Sequence, residues 1–328
     1  MTTELARLLS RRLLIVTGKG GTGKTSVAAA LGQLAARRGL ETVVIERTAA
    51  PAIQRLLEPE PSARTSGREP IECSPHLYAL RLDPLDALTE YLELQLRVPI
   101  VARALVGSRA FQRLLAATPG WRDLITLGKL WHLETRTRGG RPRWDLLIVD
   151  APATGHGLAF LSTPNVIRNT VRMGPLRRHT DWVQALLEDP HKTWVVPITL
   201  AEELPVGETL ELRENVAQLA LSLGPTLVNC IESTATLPEL EIARTALDEL
   251  PEPAAAPLPP IATLRAVVNH RLRRAALQRV QLERLSVAAG FAAIELPLLT
   301  GAIRDHADVE VLSRALEAAL EAVPGTEP

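Results

Sequence analysis

Short apolar runs alternate with longer stretches of helical period along most of the chain. The runs are Leu13–Thr17, Thr42–Glu46, Leu77–Leu82, Asp145–Asp150, Thr193–Pro197, Thr226–Asn229 and Ala292–Leu296. Their nearly continuous apolar character suits strands covered on both faces, not a sheet with one wet side. Strands that alternate with helices predict an α/β fold: a doubly wound, mostly parallel sheet in a single domain spanning 1–328. Two intervals are too long for one crossover. Residues 84–143 hold the helical-period stretches LDALTEYLELQL, VARALVGSRAFQRLLAA and LITLGKLWHLETRT with no convincing strand, and 161–192 hold TDWVQALLED. Both intervals are assigned to an inserted α-helical subdomain at one edge of the sheet, with ordinary covering helices as the alternative. PEPAAAPLPP (Pro251–Pro260) marks a surface loop taken as 251–262, and the cluster Arg136, Arg138, Arg141 and Arg143 reads as a solvated loop.

Composition narrows this picture. With 328 residues, 46% hydrophobic content and 3% aromatics, the chain can bury a full core packed by Ala, Leu and Val. Its 37 basic residues balance 37 acidic ones, so no global field draws it to nucleic acid or to an anionic membrane. The two cysteines, Cys73 and Cys230, are too few and too isolated for a disulfide framework or a metal clip. No apolar stretch approaches the roughly 20 residues that span a bilayer, and the start of the chain does not read as a signal peptide. A cytoplasmic protein with no direct membrane insertion and no nucleic-acid partner is expected.

The candidate chemistry lies at the first strand. Gly18-Lys19-Gly20-Gly21-Thr22-Gly23-Lys24-Thr25 satisfies G-x-x-x-x-G-K-[ST] between a strand and an alanine-rich helix. In such a loop, glycines let successive backbone N–H groups face phosphates at a helix N-terminus, where the helix dipole also favours negative charge. Lys24 would bridge the β- and γ-phosphates of ATP, and the Thr25 hydroxyl would ligate Mg²⁺. A second anchor is WDLLIVDAPATGHGLAFL, an apolar strand ending in Asp150. A carboxylate there emerges at the edge where open α/β sheets bind ligands and would hold Mg²⁺, largely through water. The nucleotide set expected is Gly20, Gly21, Thr22, Gly23, Lys24, Thr25 and Ser26.

Together these stretches resemble a family. GKGGTGKTS is a deviant Walker A with a lysine after its first glycine, and DAPATGHGLAFL resembles the switch II of ArsA-like anion-transporting ATPases. That family includes the arsenite-pump ATPase and the factor that targets tail-anchored membrane proteins. LRLDPLDALTEYL, TLAEELPVGETLELRENV and TLVNC are similar to further family segments in matching order, over roughly residues 13–305. The resemblance implies that Lys19 reaches across a dimer interface to phosphates on the other subunit, so that Lys19, Lys24 and Asp150 form the catalytic set. It further implies that Asn229 reads the adenine edge and that Pro297 borders the base.

The departures matter as much. Thr48 stands where targeting members carry the aspartate that prepares the attacking water, and Glu46 and Asp83 are the nearest acidic residues by sequence. Hydrolysis that is slow or partner-dependent is therefore expected, within a homodimer or a heterodimer with a paralogue. No zinc or arsenite site is expected, since the family's cysteines for both are absent. The primary expectation is an ATP-driven dimeric switch that couples nucleotide state to a protein cargo or partner. The alternatives are a hydrolysis-poor scaffold working with a catalytic paralogue and a MinD/ParA-like positioning ATPase; against the latter, the C-terminal VEVLSRALEAALEAV is acidic. His156, after the switch glycine, is assigned a structural or hinge role and not a catalytic one.

Overall fold

The computed structural model describes residues 3–47, 52–60, 67–96, 98–118, 120–233, 236–250, 260–289 and 293–325. Thr48, most of the Pro-rich loop and Ala292 lie outside the described residues. A short α1 (Glu4–Leu9) leads into β1 (Leu13–Gly18), α2 (Lys24–Arg37), β2 (Thr42–Glu46) and α3 (Ala52–Leu57). β3 (Ile71–Ser74) and β4 (Leu77–Arg81) follow, then α4 (Pro84–Leu96), α5 (Pro99–Gly107), α6 (Arg109–Ala117) and α7 (Trp121–Thr135). A small ribbon, β5 (Thr137–Arg138) and β6 (Arg141–Pro142), precedes β7 (Leu146–Ala153), α8 (Thr154–Thr170), α9 (Pro175–Glu188), β8 (Thr193–Leu200) and α10 (Glu203–Gln218). The remaining elements are β9 (Leu227–Ile231), α11 (Leu237–Glu249), α12 (Ile261–Ala289), β10 (Ile294–Pro297) and α13 (His306–Ala322).

The main sheet has eight strands in the order β10-β9-β8-β1-β7-β2-β4-β3. Every pairing in it is parallel except that of β3 with β4. From β1 the chain passes over the place of β7 to reach β2, whereas from β7 it crosses β1 to reach β8. The direction of winding reverses around β1, and in open α/β sheets such a reversal opens a crevice at the carboxyl ends of the strands.

Three strands depart from the sequence expectation. β3 is an antiparallel edge strand with a mixed burial pattern, so it needs no continuous apolar run and shows none. The interval 84–143 is not free of strands, because β5 and β6 pair across Gly139 and Gly140, whose φ values are 62° and 78°. Two successive positive φ angles are what a tight type I′ hairpin turn demands. The basic cluster around this ribbon is partly engaged instead of simply solvated. Arg136 pairs with Glu69 at 2.6 Å, and Arg143 pairs with Glu41 at 2.8 Å while its guanidinium lies 3.9 Å from the Trp144 ring centroid.

Strand residues alternate between two cores. Leu14, Val16, Val44, Ile148 and Val196 face α1, α2, α3 and α13, while Leu13, Ile15, Val43, Leu147 and Val149 face α7, α8, α9 and α10. The last helix belongs to the first of these cores: Val309, Leu312, Leu316 and Leu320 are all buried. Within the long intervals, α7 and α9 lie directly on the sheet through Leu127, Leu130, Leu133, Val183, Leu186 and Leu187. By contrast, α5 buries only Ala102 and Val106, and α6 buries no residue. No helix among the described residues is long and apolar enough to cross a membrane.

Candidate nucleotide site

The loop after β1 is shaped by hydrogen bonds to one carbonyl. Lys24 Nζ donates to the Lys19 carbonyl at 2.8 Å, and Thr22 Oγ1 donates to the same oxygen at 3.0 Å. Gly23 starts α2 with φ 87°, and a Cβ there would stand 2.3 Å from Asn229 Nδ2, so both the turn and the approach of β9 require glycine. No side chain caps α2 and no acidic residue occupies its first turn. The first N–H groups of the helix are thus available to an anion, as in phosphate-binding turns.

Asp150 meets this loop from β7. Thr25 Oγ1 donates to Asp150 Oδ2 at 2.6 Å, and Asp150 Oδ1 is buried without a protein partner. Burial pushes the Asp150 carboxyl above its ordinary value, opposed by the Thr25 hydrogen bond and the Lys24 charge. Burial likewise pulls the Lys24 ammonium below its ordinary value, opposed by Asp150. Each group therefore leans toward its neutral form, and a phosphate or a cation at this point would restore the charged forms. A hydroxyl and a carboxylate with one buried, unsatisfied oxygen are a hard-oxygen donor set that fits Mg²⁺.

The other expected residues distribute around the same mouth. Gly20 and Gly21 are exposed at the tip of the loop, Thr22 is buried and Ser26 is half-buried in the first turn of α2. Asn229 is buried, with Nδ2 donating to the Thr22 carbonyl at 3.0 Å and Oδ1 accepting from the Cys230 N–H at 2.9 Å. A primary amide has two donors and two acceptor lone pairs, so one donor and one acceptor site remain on Asn229 for a base edge. Pro297 ends β10 in register with Ile231 of β9, on the same carboxyl edge of the sheet. His156 is exposed in the first turn of α8.

Both acidic residues near the expected switch are occupied as caps. Glu46 lies beside Asp150 in the β2–β7 register, is buried, and accepts from the Ala52 and Ile53 N–H groups at 3.0 and 3.2 Å. Burial raises its carboxyl above the ordinary value, and the Asp150 charge adds to the rise. Asp83 accepts from the Leu85 and Asp86 N–H groups at 2.8 and 3.1 Å, in front of α4.

Two residues came without warning from the sequence. Lys19 Nζ lies 2.6 Å from Glu208 Oε1 on α10, and Glu208 Oε2 accepts from Thr154 Oγ1 at 3.2 Å. Glu208 falls inside the stretch recognised as family-like, yet 189 positions separate it from Lys19 and no spacing rule links them. Arg47, directly after β2, pairs with Asp123 of α7 at 2.7 Å and places its guanidinium 4.8 Å from the Phe160 ring centroid on α8. It thereby joins the strand end beside the nucleotide mouth to two helices of the outer layer.

The β1 strand, its glycine turn, the uncapped α2 with Lys24 folded back onto the loop, and Asp150 within β7, which continues to Ala153 beyond the expected strand end, define a P-loop nucleotide-binding fold of the α/β class. Residues 11–181 match the family model of the anion-transporting ATPases, and the chain belongs to that family. The chain is 33% identical over 226 residues to ATPase BagA of Mycobacterium tuberculosis, an alignment covering 68% of this chain and 66% of that protein. It is also similar to the ATPase ASNA1 homolog of Entamoeba dispar, at 22% identity over 66% of this chain and 76% of the relative. The arsenical pump-driving ATPase of Acidiphilium multivorum is 24% identical over 71% of this chain and 41% of its own length. The chain thus spans just under two thirds, 66%, of the mycobacterial relative.

Proposed function

We propose that this protein is a cytoplasmic ATPase that closes as a dimer around nucleotide and couples its nucleotide state to a protein cargo or partner through the helices beyond the sheet. The observation that carries the reading is the contact of Thr25 with Asp150 at the uncapped start of α2, within reach of Lys24. The loop N–H groups and Lys24 bind and orient the phosphates, and Asn229 and Pro297 border the base. Thr25 and Asp150 would hold Mg²⁺, largely through water at Asp150, and the bound ion would supply charge neutralisation at the phosphates. Lys19 of one subunit adds a point charge at the phosphates of the other, where negative charge redistributes as the γ-phosphoryl group passes to water.

In the test, Lys24→Ala abolishes ATP binding by the lone chain, whereas Lys19→Ala leaves that binding largely intact but lowers turnover and ATP-dependent dimerisation. Equal loss of ATP affinity in both variants would overturn the cross-subunit role of Lys19.

A second reading, a hydrolysis-poor scaffold for a catalytic paralogue, is favoured by one observation: Glu46 and Asp83 are both committed to helix N-termini. Neither carboxylate stands free to prepare water. Single-turnover hydrolysis by the purified chain, alone and with a paralogue, separates the readings, since a robust rate from the lone chain removes the scaffold.

A further inference from the structure

Lys19 is bound within its own chain, and the group that binds it has a second attachment. Glu208 receives the Lys19 ammonium on Oε1 at 2.6 Å and the Thr154 hydroxyl on Oε2 at 3.2 Å. Thr154 is the first residue of α8, directly after the strand that carries Asp150. One carboxylate on α10 therefore ties the phosphate loop to the start of the switch helix. The hydrogen bond to Lys19 holds the Glu208 carboxyl below its ordinary value. The two side chains remain 31% and 39% exposed. A pair this wet is weak enough to be exchanged for a better partner.

We infer that Glu208 is a positioning residue that parks Lys19 in the free subunit and releases it, together with Thr154, when a second subunit offers its phosphates. The inference rests on the two-subunit reading above. Lys19 cannot serve an intrasubunit carboxylate at 2.6 Å and a distant phosphate at once, so closure must break this contact. A phosphate cluster is the stronger anion, and the exchange trades one solvated ion pair for a charge-assisted contact in a drier place. Removing the carboxylate removes the competitor. Thr154 links release to the switch segment, because a shift of the α8 start withdraws a hydrogen bond that orders Glu208.

The test uses the full chain and two readouts. The first is acylation of the Lys19 amine in the nucleotide-free protein, quantified by mass spectrometry. Glu208→Ala is expected to raise the rate at Lys19 by about two- to fivefold relative to other lysines, and Thr154→Val by less. The second is sedimentation with Mg²⁺ and ATP, in which Glu208→Ala lowers the protein concentration of half-dimerisation by a similar factor. In the Lys19→Ala background the Glu208→Ala change is expected to have no further effect, since the two act as one unit. An unchanged labelling rate overturns the latch, as does a raised rate with an unmoved or raised dimerisation midpoint. Failure of the wild-type chain and all variants to dimerise, with labelling raised as expected, instead overturns the two-subunit reading and leaves the intrasubunit contact standing.

Discussion

The helix that follows the phosphate loop, α2, and the outer helix α6 are built from similar apolar residues and end in opposite environments. In α2, ten consecutive residues from Val27 to Ala36 are buried, because the helix is wedged between the sheet and α13. In α6 none is buried, and Leu114 is 60% exposed. The neighbouring α5 leaves Ile100 79% exposed. Close packing is thus concentrated behind the phosphate loop, whereas α5 and α6 leave apolar side chains exposed. Similar apolar residues therefore serve as core where a sheet and a second helix enclose them and as surface where neither does.

Four experiments would break or sharpen this contrast. The largest effect is expected in α2, where Leu34→Ala should cost about 2–5 kcal/mol in chemical denaturation. A loss below about 1 kcal/mol would mean that the buried helix is less tightly packed than its burial implies.

At the site itself, Asp150→Asn should weaken Mg²⁺-dependent ATP binding by about 10- to 100-fold, measured by titration with and without Mg²⁺. Its pH dependence has a definite sign. Burial raises this carboxyl above 3.8, so the folded chain keeps the proton to higher pH than the unfolded one. The contribution of Asp150 to stability is then greatest below 3.8 and is lost as pH rises through the raised value. Relative to wild type, the apo Asp150→Asn variant should gain stability over that window, while Mg²⁺-dependent binding by wild type falls as pH drops through it.

Next in size, a double-mutant cycle on Arg47→Ala and Asp123→Ala should return a coupling of about 1 kcal/mol. The same cycle read by ATP affinity asks whether the bridge from β2 to α7 transmits nucleotide state; independence of the two changes would disconnect the nucleotide site from α7. The smallest effect belongs to the outer helices, where Leu114→Ser should alter stability by no more than about 0.5 kcal/mol and leave ATP affinity unchanged. A larger loss would show that α6 is covered in the folded protein.

Much of this was legible in the chain. Parallel strands buried on both faces advertise themselves as apolar runs, and the phosphate loop does so through glycines that its geometry cannot replace. The edge strand β3 escaped because one covered face is enough for it and a polar alternation hides it. The ribbon of β5 and β6 escaped because two-residue strands carry no periodicity; its one local signal was the Gly139-Gly140 pair. Among the candidate site residues, Lys24 and Thr25 were expected from their spacing to the glycine turn and Asp150 from its place in the apolar run that forms β7. Glu208 and Arg47 were not, since their partners lie far along the chain and on other helices.

The amino-acid sequence by itself determined the doubly wound sheet, the phosphate loop and the family, because local backbone geometry and apolar periodicity are written in consecutive residues. Tertiary structure alone decided that Lys19 rests on Glu208, that Glu46 and Asp83 are held as caps, and that α7 and α9 cover the sheet while α5 and α6 stand outside it. Those outcomes depend on which side chains meet after the chain has folded, and side chains 189 positions apart can be brought to 2.6 Å only by the packing of every element between them.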